Sequence, residues 1–244
     1  MKEPRNVAII HYNTPEITEA AIMSLRKHGG EDYKVTVFDN SDARPFRKKM
    51  KGVKRIDNTK GKVIDWDEFL MQFPARMPKI GCAKGCVFGS AKHMRTVQEL
   101  WGILPDGFLL MESDILLRES VDHMFMKDKA VVGHVIEHQK DNPFAIGRIM
   151  PMLCYMNVPL LVSAGARYFD PERTYGLHGE YWNAKNWYDT GAVLLEDVKR
   201  LKPMLVGRNI DIRPLMVHYK SASWKRNVIE DQLAWLEEHK ELWK

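Results

Sequence analysis

Cysteine is scarce in this 244-residue chain: there are three, Cys82, Cys86 and Cys154. An odd and small count excludes a disulfide framework and fits a reducing compartment. Cys82 and Cys86 stand at C-x₃-C spacing with no second pair, so a zinc site would need two further ligands. No apolar run approaches the ~18 residues of a membrane span. The apolar stretch Val7 to Ile10 is also too short for a signal-peptide core. These absences make the cytoplasm the expected compartment, with peripheral membrane contact left open. The chain has neither a Walker Lys-Ser/Thr loop nor a G-x-G-x-x-G fingerprint, which argues against ATP-loop and Rossmann-cofactor chemistry. Internal repeats, low-complexity tracts and linkers are also missing, so a single domain over 1–244 is expected.

What is present is an ordinary globular composition, 45% hydrophobic and 28% charged, with a net charge of +5 and a pI near 9.0. A mild basic excess suits a polyanionic ligand such as a nucleoside diphosphate, and equally a nucleic acid or an anionic membrane. Val7–Ile10 reads as a buried strand. Thr14-Pro15-Glu16 then supplies a helix cap, a first-turn proline and an acid at the positive end of the dipole, and Gly29-Gly30 ends that helix. Val35–Phe38 is a second strand, so the chain opens with a βαβ unit and a parallel sheet. Residues 43–62 are basic, with a short strand at 53–56. A short helix is expected over 65–73, a loop over 81–89, and a helix capped by Ser90 whose stripe is Met94, Val97, Leu100 and Trp101. Phe108–Met111 is the expected sheet centre, 131–136 another strand, 191–195 a further strand followed by a short helix, and 215–217 a last strand. Residues 227–242 read as an amphipathic helix. The half after residue 117 is the more irregular.

Several strand ends carry chemistry. Ligands of open parallel sheets bind beyond the carboxyl ends of strands. Asp39, followed by Asn40 and Asp42, stands at such an end, suited to hydrogen-bonding a base or ribose or simply to making a turn. Glu112-Ser113-Asp114 follows four apolar residues, and alternate residues of an extended segment face one way. Two carboxylates there suit Mg²⁺ or Mn²⁺, although acids are also ordinary caps. His218 ends a strand and is either a further ligand or a structural imidazole. Lys220 suits a phosphate. The aromatic stretch 175–188 offers faces to a sugar or packs a core. Asp189 and Glu180 are the candidate general bases beside it. Gly89 to His93 reads as a helix start able to attract an anion.

Taken in order, these segments resemble glycosyltransferase family 2 and its GT-A relatives. Val7 to Thr14, with His11 and Asn13, looks like the opening strand and first nucleotide-binding turn. Val37 to Asp42 is similar to the V-D-N-x-S segment. Gly89 to His93, with Ser90, is similar to a helix start near the nucleotide. Leu110 to Asp114, with Ser113, resembles the Asp-x-Asp metal motif, with Glu112 in place of its first acid. Tyr188 to Gly191 resembles an F-D-T-G segment, and His218 to Trp224 an H-x-x-x-S-W segment. The resemblance implies an α/β fold of GT-A type, a Rossmann-like, mostly parallel sheet flanked by helices. It implies a nucleotide-binding half over about 1–117 and an acceptor-binding half over about 118–244. It further implies sugar transfer from a nucleoside diphosphate sugar, a UDP-sugar first, to a glycan, glycolipid or other hydroxyl acceptor in surface polysaccharide assembly. Mn²⁺ or Mg²⁺ would sit on Glu112, Asp114 and His218, with Lys220 and Trp224 near the nucleotide. No stable nucleic-acid partner is expected. The other readings are a GT-A-like nucleotidyltransferase, a non-catalytic carbohydrate- or nucleotide-binding module, and a DNA-directed glycosyltransferase.

Overall fold

The computed structural model describes residues 5–71, 83–138, 146–171, 173, 188–200, 209–219 and 228–244. The fold is mixed α/β, with a six-stranded, mostly parallel sheet flanked by helices. The chain forms two compact units. One comprises Met1–Val63, Phe108–Met126 and Asp211–Lys244, the other Ile64–Gly107 and Lys127–Ile210.

The first unit starts with β1 (Arg5–His11), α1 (Pro15–Gly29) and β2 (Tyr33–Asp39), and adds β3 (Val53–Asp57). β1 pairs in parallel with β2, and β2 with β3. β1 and β2 carry apolar runs because both of their faces are covered; Val7, Ala8, Ile9, Val37 and Phe38 have no exposed surface. The expected first helix forms, with proline in its first turn and Gly30 closing it at φ +81°. Thr14 does not cap it through its side chain, as its Oγ1 is buried without a hydrogen-bond partner. Its carbonyl starts the helical ladder, accepting from Thr18 N and Thr18 Oγ1, both at 3.0 Å. β4 (Phe108–Glu112) pairs in parallel with β1, followed by the three-residue β5 (Ile115–Leu117).

In the second unit α2 (Trp66–Met71) precedes α3 (Ala83–Ile103). The helix expected to start at Ser90 therefore starts near Ala83, and Gly89 to His93 is helix interior rather than a terminus. The glycines and cysteines of 81–89 suggest a loop, but the helix occupies 83–89 and continues into the turns of better helix formers that follow. Met94, Val97, Leu100 and Trp101 are its buried stripe as expected. β6 (Val131–His138) and β7 (Ile146–Met156) form an antiparallel pair, followed by α4 (Val158–Ser163). Asn157 caps α4, accepting from Leu160 N at 3.2 Å. Residues 192–195, expected as a strand, open α5 (Ala192–Arg200) instead. Val193-Leu194-Leu195 is a short apolar run that suits strand or buried helix equally. The helix wins because Val198 continues the buried stripe at i+4 from Leu194.

The chain returns to the first unit with β8 (Met216–His218) and α6 (Ile229–Glu238). β8 pairs antiparallel with β5, Ile115 opposite His218. Ile17, Ala20, Leu116, Tyr219 and Leu236 form one buried cluster there, with Trp235 and Trp243 against it. Among the described residues no helix is long and apolar enough to cross a membrane.

Candidate active site

Three candidate metal ligands converge in the first unit. β4 ends at Glu112, Ser113 and Asp114 form a turn rather than continuing the strand, and β5 begins at Ile115. The register of β5 with β8 sets His218 opposite Ile115, and Tyr219 N donates to Asp114 O at 2.9 Å. That places His218 Nε2 at 3.5 Å from Asp114 Oδ1 and 3.8 Å from Glu112 Oε2. One ligand atom from each of the three lies within 4.8 Å of the others. The side chains are 23% (Glu112), 14% (Asp114) and 24% (His218) exposed, open enough to admit a ligand and buried enough to strengthen its electrostatics.

Two carboxylates and an imidazole are a fitting donor set for Mn²⁺, and the carboxylates also suit Mg²⁺. With metal–ligand distances of about 2.1 Å, adjacent octahedral ligands stand about 3 Å apart. The His218 spacings of 3.5 and 3.8 Å lie between that value and the about 4.2 Å across an octahedron, so the residues fit the ion that the motif implies.

The other nucleotide-loop candidates are packed differently. Asp39 has no exposed surface. Its Oδ1 accepts from Ser41 N at 3.0 Å, and its Oδ2 accepts from Phe46 N and Arg55 Nε, both at 2.8 Å. His11 is equally closed, with Nδ1 at 2.8 Å from Thr18 Oγ1 and Nε2 at 3.1 Å from Arg44 O, and burial pushes its pKa down. Asn13 takes a left-handed φ of 57°, which Asn tolerates better than most residues. Its Oδ1 accepts from Ala43 N and Arg44 N at 3.1 and 2.9 Å, and its Nδ2 donates to Asp42 at 2.6 Å. These three residues hold the β1–α1 and β2 loops together. Asp42, on the exposed side of that network, also accepts from Tyr12 Oη at 2.7 Å, and these two donors draw its pKa below the usual carboxylate range. Asn40 is half-buried, and its Oδ1 accepts from Asn58 Nδ2 at 2.9 Å. Tyr12 is not among the residues singled out from the sequence; its one-dimensional signal is an aromatic beside Asn13 at a strand end, and its half-burial is seen only in the structure.

A second polar cluster lies in the second unit. Asp189 accepts from Ser90 Oγ at 2.8 Å, from Thr190 N at 2.7 Å and from the Arg148 guanidinium. Gly191 presses this turn onto β7: its φ is +84°, and a Cβ there would stand 2.0 Å from the Ile149 carbonyl oxygen. Neither His93 ring nitrogen has a hydrogen-bond partner, and both are closed to solvent. Burial pushes the pKa of His93 down to about 4, so the ring is neutral at pH 7 and offers no charge to a phosphate. Glu180, Lys220 and Trp224 lie outside the described residues, as does most of the aromatic stretch 175–188.

No family model matches the chain, and no curated protein sequence matches it. Among solved structures, the galactosyltransferase LgtC in complex with donor and acceptor sugar analogs is similar over 97% of this chain and 94% of that one. Its TM-score is 0.54 at 13% identity. The chain shares the LgtC fold. An active-site mutant of LgtC gives a TM-score of 0.52 with the same coverage and identity. Mouse xyloside xylosyltransferase 1 in its apo form gives 0.48 at 10% identity, over 86% of each chain. The LgtC likeness supports a GT-A-type architecture, and at 13% identity it is a likeness of fold. The resemblance to family 2 in particular rests on the motifs alone.

Proposed function

We propose that this chain is a metal-dependent glycosyltransferase that moves a sugar from a nucleoside diphosphate sugar, a UDP-sugar first, to an acceptor hydroxyl. Surface glycan assembly is the proposed setting and the cytoplasm the proposed compartment. The observation that carries the reading is the convergence of Glu112, Asp114 and His218. A non-catalytic binding module has no need for an acid pair and an imidazole from distant parts of the chain to meet, and here they do.

Glu112, Asp114 and His218 would hold Mn²⁺ or Mg²⁺, whose Lewis acidity offsets charge on a leaving diphosphate. Asp39, His11 and Asn13 act by fixing the loops; Asn40, Asp42 and Tyr12 are the loop's candidates for touching base or ribose. Asp189 is engaged by a guanidinium, a hydroxyl and an amide, a geometry suited to anchoring Arg148 and Ser90 rather than to collecting a proton. For an inverting transfer, Glu180 is then the remaining candidate to take the acceptor proton. The anomeric configuration of the product, read by NMR, decides between inversion and retention.

The test is calorimetric titration with UDP, GDP, CDP and dTDP, with and without Mn²⁺, on the wild type and Asp114→Ala. One nucleotide should bind in a manner that needs both the metal and Asp114. Turnover of the matching sugar donor should fall by about 10²-fold or more in the variant, the scale of a lost transition-state electrostatic contact. Full turnover in Asp114→Ala, or no binding of any nucleotide, defeats the reading.

A further inference from the structure

The basic excess of the chain is concentrated in one segment. Residues 43–63 hold nine Lys and Arg against one Asp, whereas the rest of the chain holds 28 Lys and Arg against 31 Asp and Glu. Three of the nine are neutralised locally: Arg44 by Glu16, Lys48 by Glu19, and Arg55 by Asp39 and Asp57. Lys62 is exposed and within electrostatic reach of Asp57. Arg47, Lys49, Lys51, Lys54 and Lys60 are exposed, with no carboxylate within 4.0 Å among the described residues.

The sheet register brings further charge to the same place. β3 pairs only with β2 among the described residues, Lys54 opposite Thr36. Lys34, two residues before Thr36, therefore projects from the same sheet face as Lys54. Val35 N donates to Gly52 O at 3.2 Å, which sets the turn bearing Lys51 at the start of β2. Lys34, Lys51 and Lys54 thus gather near the amino ends of β2 and β3, while Asp39 and Glu112 lie at the carboxyl ends of β2 and β4. A partner held at the amino ends leaves the carboxyl ends open.

Lysine on an edge strand also blocks edge-to-edge pairing. That explains Lys54 but not Lys49, Lys51 or Lys60, which lie off the strand. Nucleic acid is the poorer fit: Phe46 is the segment's one aromatic and has no exposed surface, so no stacking platform exists there. The segment also offers no helix to a groove. Point-charge lysines without a shaped pocket suit a fluid anionic surface, and Val63 beside them is 40% exposed.

We infer that the 47–62 segment docks the protein on a bilayer of anionic phospholipid. The inference goes beyond sugar transfer and does not rest on it. The experiment is co-sedimentation of the full chain with phosphatidylcholine vesicles, with and without phosphatidylglycerol, at low and high salt. Binding should require phosphatidylglycerol and weaken with salt, as for an exposed charge interaction. It should fall about tenfold or more in Lys49→Glu/Lys51→Glu/Lys54→Glu. The neutral triple variant, with Gln at the same positions, should fall between. Circular dichroism and thermal melting confirm that both variants fold. Absence of phosphatidylglycerol-dependent binding, binding unchanged in the folded variants, or tighter salt-dependent binding to duplex DNA than to the vesicles overturns the inference.

Discussion

Asp39 and Asp114 are the same residue type in nearly the same sequence setting, an acid at or just past the carboxyl end of an apolar strand of one parallel sheet. Their fates differ because of what the neighbouring segment delivers. β3 runs beside β2 and brings Arg55 to Asp39, while the loop folds back to give it the amides of Ser41 and Phe46. β8 runs beside β5 and brings Asp114 an imidazole, with Glu112 close by. In the first arrangement both carboxylate oxygens are engaged within the protein. The second gathers two carboxylates and an imidazole, a donor set that suits a divalent cation.

That contrast is breakable at several points. The largest effect is expected on stability: Asp39→Ala strands two amides and leaves Arg55 with only its exposed partner Asp57, and should cost about 3 kcal/mol in urea unfolding. Asp114→Ala should change stability by less than about 1 kcal/mol in the absence of metal, because it removes a neighbour of like charge from Glu112. Equal losses in the two variants would erase the distinction. Next comes metal linkage. Mn²⁺ at 100 times its dissociation constant should raise wild-type stability by about 2.7 kcal/mol, and the gain should vanish in Asp114→Ala while surviving in a folded Asp39 variant.

The smallest effect sharpens a parallel contrast between two histidines, the open His218 and the closed His93. His93 titrates near 4 when folded and near 6.5 when unfolded. The unfolded chain therefore takes up a proton first on acidification, so stability is complete above about pH 6.5 and falls as the pH drops toward 4. Between pH 7 and 5 this amounts to about 2 kcal/mol. His93→Gln should lose that part of the acid sensitivity in paired unfolding curves; identical curves would refute the burial assignment.

The strand ends were legible because apolar runs ending in acids are visible in one dimension. The first βαβ unit, the acid pair and His218 followed from that pattern and from motif order. The saturation of Asp39 did not, because Arg55 lies 16 residues on in a segment that read as a basic loop around a short strand. Only the in-register pairing of β3 with β2 reveals its approach. The start of α3 and the helix at 192 were misread where local composition, glycine and cysteine in one case and a short aliphatic run in the other, outweighed the periodicity of the turns that follow. The closure of His93 was also hidden, since its helix position is known only once the helix is seen to begin at Ala83.

The β5–β8 ladder has a consequence for how the molecule is made. His218 joins Glu112 and Asp114 only after another hundred residues have been translated. A nascent chain that has not yet reached β8 carries the two carboxylates without the imidazole that meets them in the folded protein. The three-residue cluster therefore assembles only once β8 has been made and has paired with β5.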